Sequence, residues 1–200
     1  YETIPKDAIR YFNRPVESET IDLLRNITTT TNYIDYDDFG NVIELGVDYN
    51  SEGTTTTVTT YTNAGGWFDY LPEAVTVTTQ RGTEPDVEIN TTYSYNNING
   101  TLSSMTLYEG EDMFIGKHFL YDNFGNVTSL SVWHPGLVTR TQLVTYDTKG
   151  RFPLTKANPL VWTETFNYDN RTGQVVKAWD VNNLLTKYQY DGFGRNVLTE

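Results

Sequence analysis

The sequence predicts an all-β protein built from repeated antiparallel hairpins. Three observations lead there. The first is a recurring motif, Tyr-Asp-x-x-Gly, followed by Asn or Arg in four of its five clear copies. It occurs as Tyr36-Asp37-Asp38-Phe39-Gly40, Tyr121-Asp122-Asn123-Phe124-Gly125, Tyr146-Asp147-Thr148-Lys149-Gly150 and Tyr190-Asp191-Gly192-Phe193-Gly194. Tyr168-Asp169-Asn170-Arg171-Thr172-Gly173 is the same unit with one residue inserted. The second is spacing: the tyrosines at 121, 146, 168 and 190 stand 25, 22 and 22 residues apart. A recurrence at steps of this length marks a repeat architecture. The third is the Thr-, Tyr- and Val-rich sequence between motifs, which suits a pleated, half-buried surface.

Each motif reads as a hairpin tip. Asp occupies the first position of a type I turn and Gly the fourth. The Asp carboxylate can accept hydrogen bonds from N–H groups two residues on. The Gly takes φ > 0 without steric cost, and a type I turn followed by such a residue is a common three-residue hairpin loop with a bulge.

Taken in order, residues 1–27 read as an irregular lead-in. Arg14 to Leu24 has no clear period, and Ser18 to Arg25 suits a short helical turn as well as it suits a strand. The repeat region follows over 28–200, with Thr28 to Tyr36 as its first strand. The runs Thr28–Thr31 and Thr54–Thr57 fit exposed strand faces, being β-branched. Two degenerate units fill the gap before Tyr121. One is Tyr61-Thr62-Asn63 leading to Gly65-Gly66; the other is Tyr95-Asn96-Asn97-Ile98-Asn99-Gly100. That makes seven units, five of them clear. Trp67 to Pro72 breaks the alternation and reads as a larger turn packed by aromatics. Residues 73–81 alternate again as a strand, and Ala178 to Asn183 reads as a secondary turn between the last two tips.

Composition sets bounds on function. The chain has 200 residues, 38% of them hydrophobic and 14% aromatic, enough to bury a core. The repeats argue instead for stability through stacking of neighbours. The net charge of −12 speaks against nucleic acid, whose affinity comes from Lys and Arg on phosphates. It disfavours an anionic membrane surface likewise, and no apolar run reaches the roughly 18 residues that span a bilayer. There is no cysteine, hence no disulfide, thiol nucleophile or thiolate metal site. Tyr1 in place of Met, and an outgoing strand at Glu200, read as a piece of a longer polypeptide.

Candidate sites are few. Asp35-Tyr36-Asp37-Asp38-Phe39-Gly40 opens like a calcium loop but has Phe39 at its fifth position and Gly46 where a bidentate Glu belongs. Turn-forming Asp is the better account, and no metal or cofactor is expected. His118 and His134 have no partner signature for catalysis, so the chain is expected not to be an enzyme and to have no catalytic residues. Asn90-Thr91-Thr92 and Asn126-Val127-Thr128 match the glycosylation pattern by turn composition alone, and no glycan is assigned. Trp67, Trp133, Trp162 and Trp179 suit a sugar-stacking platform, but at repeat spacing core is the stronger reading.

The string Lys187-Tyr188-Gln189-Tyr190-Asp191-Gly192-Phe193-Gly194-Arg195 closely resembles the YD repeat of bacterial Rhs proteins. Trp179-Asp180-Val181-Asn182-Asn183 resembles the linking part of that repeat, with Asn183-Leu184 where a Gly is usual. Tyr49 to Gln80 is similar to the middle of the B components of insecticidal toxin complexes. The resemblance implies a curved, continuous β-sheet, a strip of a hollow shell that holds a toxic C-terminal domain; animal teneurins use a similar shell in adhesion. Nothing matches the autoprotease core of Rhs proteins. The implied function is a non-catalytic scaffold in a secreted or surface-bound bacterial polypeptide. Its partners would be the rest of that polypeptide or a toxin-complex component, with weak self-association through sheet edges. The alternative is a cell-surface binding module for carbohydrate or adhesion.

Overall fold

The computed structural model describes residues 1–5, 11–63, 69–108, 112 and 114–200. These form seventeen strands and one 3-10 turn, Asn50–Glu52. The all-β antiparallel fold is the one the turn chemistry predicts. The chain divides into two compact units, Tyr1–Phe114 and Ile115–Glu200.

In the first unit, β1 (Glu2–Pro5) and β2 (Tyr11–Arg14) make a separate two-stranded pair. A meander follows: β3 (Glu17–Asp22), β4 (Ile27–Tyr36), β5 (Val42–Asp48), β6 (Thr54–Asn63), β7 (Asp69–Gln80), β8 (Val87–Tyr95) and β9 (Leu102–Leu107). The second unit is a meander of β10 (Ile115–Tyr121), β11 (Val127–Trp133), β12 (Arg140–Tyr146), β13 (Pro153–Ala157), β14 (Thr163–Tyr168), β15 (Val175–Trp179), β16 (Leu185–Tyr190) and β17 (Asn196–Thr199). Within each meander every strand pairs antiparallel with the next, and among the described residues no pairing closes either into a barrel.

The lead-in is more regular than its sequence. Of Ser18 to Arg25, which suits a helical turn as well as a strand, Ser18 to Asp22 belongs to strand β3, paired with β4 from Glu17↔Asn32 to Asp22↔Ile27. All six β3 residues are exposed, so no period-2 apolar signal is written into them. Backbone pairing alone fixes the strand. Of the expected aromatic turn, Asp69 to Pro72 belongs to β7. Trp67, Phe68 and the tip Gly65-Gly66 lie outside the described residues.

Register sorts the side chains of the first meander. Tyr33, Leu45, Thr57, Val77 and Ile89 form one cross-strand row. Asn32, Gly46, Thr56, Thr78 and Glu88 form a row on the opposite face. One face is thus apolar and the other polar, as the period of two requires. Among the described residues, the strands of the meander pack mainly against their sheet neighbours. Among the described residues no hydrophobic side chain is fully buried. Trp133 is 40% and Trp162 57% exposed, so these two are not the core that their repeat spacing suggested. In a single layer, a side chain has lateral neighbours only.

Candidate functional site: the repeated turn

The five clear motifs fold into one construction. In the tip at 122–125, Gly125 N donates to Asp122 O at 3.2 Å and Asp122 N donates to Asn126 O at 2.9 Å. The Asp122 carboxylate caps the loop. Its Oδ1 accepts from Phe124 N at 2.8 Å and Asn126 N at 2.9 Å, and its Oδ2 from Asn126 Nδ2 at 3.0 Å. Asp37 repeats this with Phe39 and Asn41. Asp191 repeats it with Phe193 and Arg195, whose guanidinium closes an ion pair at 2.6 Å. Asp147 takes Arg151 and Phe152. The inserted residue after Asp169 loosens the arrangement, leaving Arg171 at 3.7 Å. Gly40, Gly125, Gly150, Gly173 and Gly194 all sit at positive φ, from 65° to 92°.

The residue after the Gly therefore has a stated job. Asn41, Asn126, Arg151 and Arg195 each supply a backbone and a side-chain donor to the same Asp. The sequence displays this Asn-or-Arg preference, but reading the turn from Asp and Gly alone does not expose its reason.

Each motif Tyr carries a bulge. The register skips one residue beside Tyr121↔Val127, Tyr146↔Pro153, Tyr168↔Val175 and Tyr190↔Asn196. It skips likewise beside Tyr36↔Val42, Tyr61↔Pro72 and Tyr95↔Leu102, so both degenerate units share the device. Pro72 and Pro153 fall opposite motif tyrosines, where a bulge relieves the missing N–H.

Successive units are tied together. The hydroxyl of Tyr190 donates to Val175 O at 2.8 Å, and that of Tyr61 to Val42 O at 2.9 Å. Each acceptor is the residue paired with the preceding motif Tyr. Tyr36 reaches back to Pro15 O at 2.6 Å. At the tips, Asn126 Nδ2 donates to Gly150 O at 2.7 Å and Gln174 Nε2 to Gly194 O at 2.6 Å. Phe152 stacks on Tyr168 with centroids 5.0 Å apart.

Electrostatics follow from these bonds. The Asn126 amide, then backbone N–H groups, hold Asp122 below the usual carboxylate range. Backbone N–H groups do the same for Asp169, and with the Arg195 side chain for Asp191. At Asp37 and Asp147 desolvation pushes upward, but the donors of Asn41 and of Arg151 and Phe152 outweigh it. Desolvation raises the phenols of Tyr36, Tyr61, Tyr95 and Tyr168.

The arrangement ties backbone rather than presenting reactive groups. His118 is exposed on β10 opposite Ser131, and His134 Nδ1 lies 2.6 Å from Pro135 O. Asp35 and Asp37, the leading acids of the calcium-like string, turn their carboxylates to backbone N–H groups. Among the described residues no three His, Asp or Glu side chains cluster as metal ligands. Both glycosylation-pattern asparagines use their amides internally, Asn90 on Glu88 and Asn126 on Asp122 and Gly150.

Fold and turn together define a class: an antiparallel sheet of YD-type hairpins. Among solved structures, the chain is similar to the crystal structure of TcdB2-TccC3, with a TM-score of 0.63 at 9% identity. The match covers 86% of this chain and 14% of that one, so the chain spans about a seventh of its length. A looser likeness, TM-score 0.45 at 14% identity over 86% of this chain and 12% of the other, is to the Tc holotoxin pore of Photorhabdus luminescens. The resemblance read from the YD motifs is thus borne out in the fold. No family model and no curated protein matches the chain.

Proposed function

We propose that this chain is a non-catalytic scaffold segment of a larger, toxin-related Rhs-type polypeptide. It forms part of a wall that encloses or presents a toxin domain, outside the bacterial cell. The observation that carries this reading is the unit-to-unit bonding of the repeated turns. Neighbouring hairpins are bonded through the hydroxyls of Tyr61 and Tyr190 and the tip amides of Asn126 and Gln174, the arrangement of a building element. The fold shared with a seventh of TcdB2-TccC3 supports it, as does the commitment of the motif aspartates to backbone. No helix among the described residues is long and apolar enough to cross a membrane. Electron microscopy of the whole polypeptide that carries this chain tests the reading. A hollow β-walled particle with these hairpins in its wall is expected. A compact domain in which residues 1–200 surround a substrate would overturn it.

A further inference from the structure

At the end of the first unit opposite its hairpin tips, two linking turns border an open hollow of about 470 Å³. One turn closes with Tyr49 N donating to Gly53 O at 2.9 Å, and the other with Glu84 N donating to Arg81 O at 3.0 Å. Gly53 lies at φ 135°, and a Cβ there would land on the Gln80 carbonyl oxygen. The two backbones therefore touch, and this contact gathers Tyr49, Glu52, Thr54, Gln80 and Arg81 around one space.

The side chains are complementary in kind. Tyr49 is 40% exposed and offers a flat apolar plate. Gln80 is held in place: its Oε1 accepts from Thr54 at 3.4 Å and its Nε2 donates to Asp86 at 2.9 Å. The side chains of Arg81 and Glu52 make no hydrogen bond or ion pair among the described residues. That is unusual for Arg81, because the first unit holds five Lys and Arg against nineteen Asp and Glu. Arg offers donors only, Glu acceptors only, and the threonine hydroxyls both. Glu52, with the acidic unit around it, disfavours an anion. A ring of adjacent hydroxyls with one apolar face satisfies all of these groups, and the volume lies within the range of small-molecule sites.

We infer that this hollow binds neutral carbohydrate, a mono- or disaccharide whose C–H face lies on Tyr49 and whose hydroxyls bridge Arg81 and Glu52. Nothing in its chemistry depends on the scaffold role. Amide NMR of the isotope-labelled chain tests it, with methyl α-D-glucopyranoside, methyl β-D-galactopyranoside, N-acetylglucosamine and, as a ringless polyol, glycerol. Saturable shifts confined to residues 49–55 and 79–81 are expected with at least one sugar and not with glycerol. In Arg81→Gln and in Tyr49→Ala the affinity should fall about tenfold, the loss of one good contact. Both residues lie outside the strand ladders, and an unchanged circular dichroism spectrum confirms the fold of each variant. Absence of saturable shifts with all three sugars, equal shifts with glycerol, or unaltered affinity in a folded Arg81→Gln would overturn the assignment.

Discussion

Replacing Gly150 by Ala tests whether adjacent tips support one another. Two costs apply there. The first is conformational: Gly150 lies at φ 65°, where an L side chain is strained by roughly 1–2 kcal/mol. The second is steric: a Cβ at Gly150 would overlap the Phe124 ring and lie 2.8 Å from Phe124 Cβ. Overpacking of this kind costs about 1–3 kcal/mol. Phe124 is 61% exposed and can swing out, so the lower end applies. Gly125 supplies the control. It lies at φ 86°, but a Cβ there meets nothing within 4 Å. Gly125→Ala should therefore cost about 1–2 kcal/mol, and Gly150→Ala about 2–3 kcal/mol. In a chain of this size each kcal/mol lowers Tm by about 2–4 °C. Thermal melts of the single variants, and of Gly150→Ala combined with Phe124→Ala, give the comparison. Removing the ring removes the steric cost, so the double variant should show a favourable coupling of about 1 kcal/mol. Repeat arrays can melt in parts, so amide exchange at 147–152 locates the loss. If Gly150→Ala melts no lower than Gly125→Ala, or Phe124→Ala brings no relief, the tips do not stack.

Three more expectations concern the same construction. Asp37, Asp122, Asp147, Asp169 and Asp191 have folded pKa values below their unfolded value of about 3.9. The folded state thus binds fewer protons than the unfolded one, so their stabilisation is complete above pH ~4 and is lost as pH falls through the lower folded values. Denaturant midpoints from pH 6 to pH 2 should decline only below about pH 4, and a flat profile would contradict the carboxylate cups. Asn126→Ala removes a donor to Asp122 and one to Gly150 O, and should cost about 1–2 kcal/mol by chemical denaturation. Val161 lies at φ 59° with its side chain 78% exposed, a genuine outlier for a β-branched residue. Val161→Gly should therefore raise Tm, whereas a drop would mean that the valine packs against something that offsets its strain.

The hairpin tips were legible because their chemistry is local. Asp, Gly and the loop between them lie within five or six residues, so the pattern Asp-x-x-Gly states the hydrogen bonds almost outright. The same locality made the degenerate units at Tyr61 and Tyr95 countable, and both carry the bulge of the clear ones. The linking turns were half legible. The sequence places Asp180 in a turn and Asn183-Leu184 where a Gly is usual, and the structure adds that Asn183, at φ 62°, takes the conformation of that Gly. Asn158 builds the same cup around Val161, in a sequence with neither the Asp nor the Gly of the motif. Strand β3 was hidden for a different reason: with every residue exposed, nothing in its composition answers to burial. The lack of a fully buried hydrophobic side chain among the described residues, the Tyr ties 15 to 21 residues back, and the contact of Phe124 with Gly150 were decided by tertiary structure. Sequence by itself determined where the hairpin tips turn, because such a turn is closed by its own residues. Which groups meet across units depends on strand register and on the neighbour's position, and those are set only when the sheet assembles.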